Sequence, residues 1–507
     1  MTENMEMPCG WAKVTLSNVC VRITDGSHFS PKSVDIGFPY VTVKDLKNDA
    51  IDFSNCSKIS TEDYNNLRDN DCNPLRNDVL FSKDGTVGKV ALVNYDLQFV
   101  VLSSLAILRP HPTAILSNYL FHILKSSQFL LQALKRKKGV AIRRIILRDL
   151  KEIGLNLPPV PEQHRIVAKI EELFSELDKG VEALKTAQQQ LKVYRQAVLQ
   201  RAFEGKLTEE WRKQQKDLPT ASQLLGQIRT ERESHAQVTV STLKLTKPLT
   251  KADLAELPLL PPGWCWIRLG QLAQLITKGA SPKWQGFNYV NDKSQLLFIT
   301  SENVRECYLD LSEPKYLEIA FNDIQKRSEL KLGDILFNIV GASIGRAVVF
   351  SLDKKSNINQ AVSLIRLLAA AIQNDYLVHY LNSAQLKEYY NNRIVDVARA
   401  NLSLDDVSKF PIPLCTIQEQ QQIVQEIESR LSVADKIEES INQSLRQAET
   451  LRQSILKKAF SGKLVPQDPN DEPAEKLLAR IRAEKAVKTS VSADIRRKKP
   501  TRRQKQQ

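Results

Sequence analysis

Apolar and polar residues alternate directly after two Gly-Trp pairs, over residues 10–16 and 263–269. A period of two is typical of a β-strand with one buried face. Two further apolar runs, at 78–82 and 334–338, are each followed by a glycine-containing turn. The pattern predicts that each half of the chain begins with a mixed α/β globule.

These paired patterns belong to an internal repeat with an offset near 255 residues. Residues 118–122 match 375–379, where apolar positions recur at helical spacing. The repeat is strongest between residues 162–207 and 419–464, which align without gaps at an offset of 257 and share 19 of 46 residues. The chain is therefore two copies of one plan.

The strongest part of the repeat has apolar residues at seven-residue intervals, which predicts a long helix with a narrow apolar stripe in each copy. Gly205 and Gly462 are the expected helix ends, so each helix has roughly 42 residues and a length of about 63 Å. We predict that the two helices pair antiparallel; two unrelated core helices are the alternative. The predicted pairing residues are Ile170, Leu177, Leu184, Leu191, Val198, Ile427, Ile441 and Ile455.

The predicted fold class is α+β, with two similar mixed α/β domains, an antiparallel coiled coil of two long helices and an approximate two-fold internal repeat. The boundaries we expect are a first α/β domain at 1–160, a central long-helix region at 161–236, a linker at 237–260, a second α/β domain at 261–415, a C-terminal long-helix region at 416–485 and a basic, disordered tail at 486–507.

Length and composition narrow the class of protein. With 507 residues the chain needs more than one core. Its apolar runs are shorter than the roughly 18 residues of a membrane span, and Glu3 and Glu6 do not fit a secretory leader, so we expect a cytoplasmic protein without membrane contact. The seven cysteines are scattered and form no C-x-x-C pair, which argues against zinc and structural disulfides.

The net charge of +14 is concentrated at the C-terminus. From Lys485 onward nine Lys and Arg stand against one acid, a balance of +8 that leaves +6 for the other 484 residues. The tail is either a phosphate-binding arm or a solvated end. The folded body is only mildly basic.

Several segments resemble the DNA specificity subunit of type I restriction-modification systems. They are the Pro-Pro-Val-Pro-Glu-Gln-His-Arg-Ile-Val entry at 158–167, its counterpart at 418–424, and the Ala-Phe-x-Gly-Lys-Leu ends at 202–207 and 459–464. Each motif alone is weak evidence for the family, but the recurrence of the motifs in the same order is specific. The resemblance covers about residues 10–484.

The resemblance implies a subunit without catalysis of its own. Its two target-recognition domains each read half of a bipartite, asymmetric site in double-stranded DNA, and its helices set the spacer. Two modification subunits that use S-adenosylmethionine and two restriction subunits that use ATP and Mg²⁺ are the implied partners, so no cofactor is expected on this chain. The alternative is a free-standing two-domain DNA-binding or scaffold protein without methyltransferase partners.

No catalytic or metal-binding motif is present: a complete P-loop, an adenine-methyltransferase motif and an H-E-x-x-H pattern are all missing. For DNA contact we expect polar and basic residues on turns and divergent loops, because these bond base edges and phosphates; ordinary surface charge and, for Trp284, core packing are the alternatives. The candidates are His28, Lys32, Lys44, Lys83, Thr86, Lys89, Arg143, Arg144, Arg148, Lys283, Trp284, Asn303, Asn338, Ser343, Arg346, Arg399 and Asn401.

The two helix starts carry the same acid-amide pair, Glu162-Gln163 and Glu419-Gln420. We predict that these four residues dock partner subunits; the alternative is that they cap free amides at the helix start.

Overall fold

The structure is a computed structural model that describes residues 7–136, 144–215, 218–238, 246–368, 372–392 and 401–483. The elements of the first globule end in a helix of 44 residues, α6. In chain order they are β1 (Ala12–Thr15), α1 (Leu16–Val19), β2 (Cys20–Asp25), β3 (Phe38–Val41), β4 (Leu46–Lys47), β5 (Ala50–Ile51), β6 (Ser57–Ile59), α2 (Thr61–Asp69), β7 (Val79–Ser82), β8 (Val90–Leu92), β9 (Val100–Val101), β10 (Leu105–Pro110), α3 (Ser117–Leu124), α4 (Ser127–Lys135), α5 (Leu147–Lys151), β11 (Gly154–Leu157) and α6 (Val160–Phe203).

Three shorter helices precede the second globule, which ends in a second helix of 44 residues, α15. These elements are α7 (Glu209–Gln214), α8 (Ala221–Val238), α9 (Lys251–Ala255), β12 (Cys265–Arg268), α10 (Leu269–Leu272), β13 (Ala273–Lys278), β14 (Leu296–Ile299), β15 (Lys315–Leu317), α11 (Ala320–Ile324), β16 (Ile335–Asn338), β17 (Ala347–Val349), β18 (Ser356–Ile358), β19 (Val362–Leu367), α12 (Asn374–Leu381), α13 (Ala384–Asn391), α14 (Leu404–Ser408), β20 (Pro411–Leu414) and α15 (Ile417–Phe460). A helical segment also covers 474–483.

The two globules share the topology of three sheets, which confirms the predicted repeat of mixed α/β domains; the first globule has a further two-stranded sheet, β4-β5. The first contains an antiparallel sheet of order β2-β10-β7-β8, and the second contains β13-β19-β16-β17. A smaller mixed sheet accompanies each, β6-β3-β9 and β15-β14-β18, with one antiparallel and one parallel pairing. In each globule the first strand pairs with the strand that precedes the long helix.

The chain forms two compact units whose boundaries cut through both long helices. Unit 1 comprises Met1–Leu184 and Asn442–Gln507, and unit 2 comprises Lys185–Ile441. Unit 1 thus contains the first globule, the beginning of α6 and the end of α15. Unit 2 contains the end of α6, the second globule and the beginning of α15.

Each globule therefore completes its core with the helix end of the other copy. In unit 1, Tyr119 of α3 packs edge-to-face against Phe460 of α15, with ring centroids 5.4 Å apart. In unit 2 the equivalent residues, Tyr376 of α12 and Phe203 of α6, pack at the same distance. Fully burying a ring of this size stabilises by about 1.5–3 kcal/mol. The helix ends are core elements as well as pairing surfaces.

The helices run antiparallel within each unit, as predicted. The beginning of α6 packs beside the end of α15 in unit 1, and the reverse holds in unit 2. All predicted pairing residues are buried or half-buried: Ile170, Val198, Ile427, Ile441 and Ile455 are buried, and Leu177, Leu184 and Leu191 are half-buried.

Both helices end as predicted. Gly205 and Gly462 adopt φ angles of +69° and +70°, in the left-handed region that favours glycine. The amide of the residue after each glycine donates to a carbonyl five residues earlier, Lys206 to Arg201 and Lys463 to Lys458, both at 2.9 Å. This is the bonding pattern of a Schellman C-cap.

Candidate nucleic-acid interface

The glycine turn of unit 1 connects β7 with β8 and is held by Ser82. The Ser82 hydroxyl donates to the carbonyl of Thr86 (2.6 Å) and accepts from the amide of Lys89 (2.8 Å). Thr86 is exposed at the tip of the turn. The Lys89 ammonium instead donates to the carbonyls of Val43 and Leu46, at 3.0 and 2.9 Å. Of these candidates, Thr86 is the one that the turn presents to solvent.

Lys83 differs from the expectation of an exposed cation beside this turn. Its side chain is buried, and its ammonium lies 3.1 Å from the carboxylate of Asp25 on β2. Burying a cation without a counter-charge is costly, so the pair satisfies the lysine inside unit 1. His28 lies on the other side of Asp25, 3.6 Å away, with 74% of its side chain exposed. The structure thus corrects Lys83 to an interior residue and leaves His28 on the surface.

Two candidates of unit 2 are likewise interior. Asn338 of β16 is fully buried and donates to the carbonyl of Ser301 at 2.9 Å. Asn303 is buried, accepts from the amide of Thr300 and donates to the carbonyl of Asp310, both at 2.9 Å. Both amides fix the backbone of neighbouring loops, so neither is available to read a base.

The glycine turn of unit 2 follows β16 and contains a short 3-10 helix, Gly341–Ser343. The Ser343 hydroxyl donates to the carbonyl of Val340 at 3.3 Å. Arg346 is half-buried at the end of this turn, and its guanidinium has no hydrogen bond or ion pair with another described residue. Arg346 is therefore a candidate whose charge is available for a ligand.

The remaining candidates lie on the surface where the structure describes them. Arg148 is 78% exposed in its side chain and its Nε lies 3.5 Å from the carboxylate of Asp149. The backbone of Asn401 bridges to Val340, which brings it beside the unit 2 turn. Arg143 and Arg399 lie outside the described residues. The other exposed candidates are Lys32, Lys44, Arg144, Lys283 and Trp284.

The acid-amide pairs at the helix starts are buried, which corrects the expectation that they dock partner subunits. Their residues expose 2% of their surface or less. The side-chain carbonyl of Gln163 accepts a hydrogen bond from the backbone amide of Leu116, and that of Gln420 accepts one from the backbone amide of Gln373, both at 2.9 Å. Each amide side chain therefore ties a long helix to the segment before α3 or α12.

The two acids differ in their partners. Glu419 accepts from the Trp264 indole (2.9 Å), from the Thr208 hydroxyl (2.8 Å) and from the Arg212 guanidinium (2.7 Å). Glu162 accepts from the Trp11 indole at 3.0 Å, while its Oε1 has no hydrogen-bond partner among the described residues. Burial raises the pKa of Glu162, with the Trp11 hydrogen bond opposing that rise.

One polar contact between the paired helices, from an arginine to an aspartate, recurs in both units. In unit 2 the Arg195 guanidinium lies 2.7 Å from Asp435 and 2.9 Å from Glu438. In unit 1 the equivalent Arg452 pairs with Asp178, and its guanidinium stacks 4.4 Å from the centroid of Phe174. Each helix thus supplies one arginine to the other.

The neighbouring glutamines attach the globules to the helices. Gln453 of α15 accepts from the amide of Ser127 at 3.0 Å, and Gln196 of α6 accepts from the amide of Ala384 at 2.9 Å. Both amides lie in the first turn of a globule helix, α4 or α13. The Arg-Gln pairs at 195–196 and 452–453 lie within the repeated segments, but the sequence pattern does not indicate their role.

Two buried histidines occupy equivalent positions, His122 on α3 and His379 on α12. Burial lowers the pKa of each to about 4, so both rings are neutral at pH 7. Within the described part of the chain, no cluster of three or more His, Cys, Asp or Glu side chains is placed to hold a metal ion, and no helix is long and apolar enough to cross a membrane.

Comparison with known proteins agrees with this repeated architecture. The family model described as type I restriction modification DNA specificity domain matches twice, at residues 8–186 and 261–447. The EcoBI specificity subunit of Escherichia coli is 29% identical over 357 residues, covering 69% of this chain and 68% of its own. The EcoKI specificity subunit of Escherichia coli strain K12 is 25% identical, covering 95% and 97%.

A solved structure has a similar fold. It comes from work on the complex assembly and conformational transition of the type I R-M system, and it matches with a TM-score of 0.61 at 20% identity, covering 90% of this chain and all of its own. Because the family model matches the globule and the start of the long helix in each copy, the chain belongs to the family of type I restriction-modification DNA specificity subunits.

Proposed function

We propose that each unit reads one half of a bipartite, asymmetric site in double-stranded DNA. The observation that carries the proposal is that the two units share a buried framework but differ in the side chains at equivalent loop positions. The Tyr-Phe ring pair and the Trp-Glu bond recur in both, whereas the loop after β2 presents His28 and Phe29 to solvent and the loop after β13 presents Lys283 and Trp284. Two domains that share a fold but differ in their loop side chains can recognise two unlike half-sites.

The spacing between the half-sites is assigned to α6 and α15. Each is an uninterrupted helix of 44 residues, about 66 Å at 1.5 Å per residue. The recurring Arg195 and Arg452 contacts fix the axial register of the pair, because a shift by one turn would move each guanidinium about 5.4 Å from its carboxylate. A change in helix length therefore changes the recognised spacing.

The chain itself supplies recognition rather than catalysis. Two modification subunits with S-adenosylmethionine carry out methylation in this proposal, and two restriction subunits use ATP and Mg²⁺.

Partners bound in two copies require two equivalent surfaces. Tyr194 of α6 and Leu451 of α15 occupy equivalent positions and are 42% and 51% exposed. We assign docking of the modification subunits to these two positions, since the helix-start residues are buried.

A genome-wide map of methylated adenine in the native host, with and without this gene, tests the proposal. Loss of one bipartite motif supports it and supplies the target sequence. If the map is unchanged although the partner genes are expressed, the assignment to a modification complex is wrong. Binding of duplex DNA by the purified chain then favours a free-standing DNA-binding protein, and failure to bind favours a scaffold.

A further inference from the structure

Each unit presents a strongly exposed aromatic ring on the loop that follows the first strand of its four-stranded sheet. In unit 2 the same loop also carries Tyr289, which is 54% exposed. Phe29, after β2, is 63% exposed, and Trp284, after β13, is 89% exposed. Rings of this size are mostly buried in folded proteins, because their apolar area is large. By contrast, Trp11 and Trp264, at the starts of the globules, are 3% and 8% exposed.

Both loops start from a glycine that lies tightly against a neighbouring strand. A Cβ at Gly26 would lie 2.2 Å from the carbonyl oxygen of Val101, and one at Gly279 would lie 1.7 Å from that of Ile358. Any larger residue would push the loop away from the sheet. The two loops therefore leave the globules at equivalent, fixed points.

The Phe29 backbone is held although its ring is exposed. The carbonyl of Phe29 accepts from the Ser27 hydroxyl at 2.6 Å and from the Tyr40 hydroxyl at 3.0 Å. The amide of Phe29 donates to the same Ser27 oxygen at 3.0 Å. These contacts fix the direction in which the ring leaves the surface.

Trp284 is fixed by different means. It lies in a short 3-10 helix, Lys283–Gln285, that ends at Gly286 with a φ of +80°. The amides of Gln285 and Phe287 donate to the carbonyl of Pro282, at 2.9 and 3.0 Å. Phe287 then packs edge-to-face on Phe321, with centroids 5.4 Å apart. The turn is anchored at both ends, and its exposed tip is the indole.

We propose that Phe29 and Trp284 contact bases directly, one ring in each half-site. This inference rests on the proposed function. A ring on a fixed backbone loses little conformational entropy on binding, and aromatic rings stack on bases or insert between base steps. Lys32 and Lys283 are exposed within three residues of the rings and supply charge for the adjacent phosphates. The two rings differ in size and in distance from the glycine, which suits unlike half-sites.

Quenching of tryptophan fluorescence by acrylamide tests the contact directly. The chain has five tryptophans; Trp284 is exposed, Trp211 and Trp266 are half-buried, and Trp11 and Trp264 are buried. The full chain with its modification subunits is titrated with a duplex carrying the motif identified by the methylation map. We expect the most accessible emission to be protected by this duplex and to be absent from Trp284→Phe.

Alanine substitutions test the contributions of the two rings separately. We expect Trp284→Ala to weaken binding of the motif duplex about tenfold and to relax one half-site, with Phe29→Ala relaxing the other. Trp284→Phe should keep most of the affinity. Leu259→Ala, a control at an apolar side chain that is 98% exposed in unit 2, should change neither half.

The outcomes distinguish this inference from the proposed function. If the wild-type complex binds no motif duplex, the proposed function is wrong. If the wild type binds and Trp284→Ala binds equally well, the aromatic contact alone is wrong. Protection of Trp284 by the modification subunits without DNA would assign the ring to a protein contact and overturn the inference.

Discussion

The indole of Trp11 donates to the carboxylate of Glu162 at 3.0 Å, joining the start of the first globule to the start of α6. The second copy repeats the bond between Trp264 and Glu419 at 2.9 Å. The two bonds differ in what surrounds the acid. Glu419 also accepts hydrogen bonds from the Arg212 guanidinium and the Thr208 hydroxyl. Among the described residues, the side-chain hydrogen-bond donor to Glu162 is the Trp11 indole.

This difference predicts unequal effects of one substitution. Trp11→Phe leaves a buried carboxylate without that donor and should lower the free energy of unfolding by about 3–4 kcal/mol, of which about 1–3 kcal/mol comes from the unpaired acid. Trp264→Phe is the matched control and should cost less, because Arg212 and Thr208 still bind Glu419. Urea unfolding of the two variants measures the difference, and equal losses would contradict this explanation.

His122 predicts a pH dependence of stability. Its pKa is lowered to about 4 in the folded state from 6.5, so the unfolded state binds more protons between these values. Stability is therefore complete above pH 6.5 and is lost as the pH falls toward 4. At pH 5 the loss from this one residue is about 2 kcal/mol.

The measurement compares urea unfolding at pH 7 and pH 5 in the wild type and in His122→Leu. The variant should lose about 2 kcal/mol less than the wild type over this interval. An identical loss would show that His122 does not titrate with the lowered pKa.

Recognition should be modular. Exchanging residues 1–155 for those of a relative leaves α6 and the whole second globule unchanged. We therefore expect the methylation map to change in one half-site and to keep the other. A change in both halves, or in neither, would contradict the assignment of one half-site to each unit.

Spacer length should follow helix length. Deleting Leu184–Gln190 together with Ile441–Gln447 removes seven residues from each helix and keeps the phase of the apolar stripe. The recognised spacing should shorten, or methylation should be lost, while each half-site keeps its base preference in duplex-binding assays. An unchanged spacer would refute the role of the helices.

Substituting the exposed pair Tyr194 and Leu451 on the long helices should impair assembly with the modification subunits without weakening DNA binding. The double variant Tyr194→Glu, Leu451→Glu should lose co-purification with the modification subunits and keep its duplex affinity, because neither residue belongs to a core cluster. Val193→Glu is the control: Val193 is 71% exposed, but its equivalent is the polar Thr450, so it is not a repeated apolar position. Equal loss in the control would point to general damage of the helix.

Four features were predictable from the amino-acid sequence: the repeat, the fold class, the two long helices with their glycine ends, and the apolar stripe. These features follow from local periodicity and from internal self-similarity, both of which can be read directly from the amino-acid sequence. The sequence also showed that Trp11 and Glu162 recur in the second copy.

Only the folded structure shows which roles those residues have and which candidates face solvent. Lys83 and Asn338 look like surface residues beside a turn, yet packing places them inside against Asp25 and Ser301. Trp284, a predicted DNA-contact residue for which core packing was the alternative, is held outside by its turn. Burial and pairing depend on residues distant in sequence, such as Tyr119 and Phe460, and periodicity within one segment does not encode which distant segment completes its core.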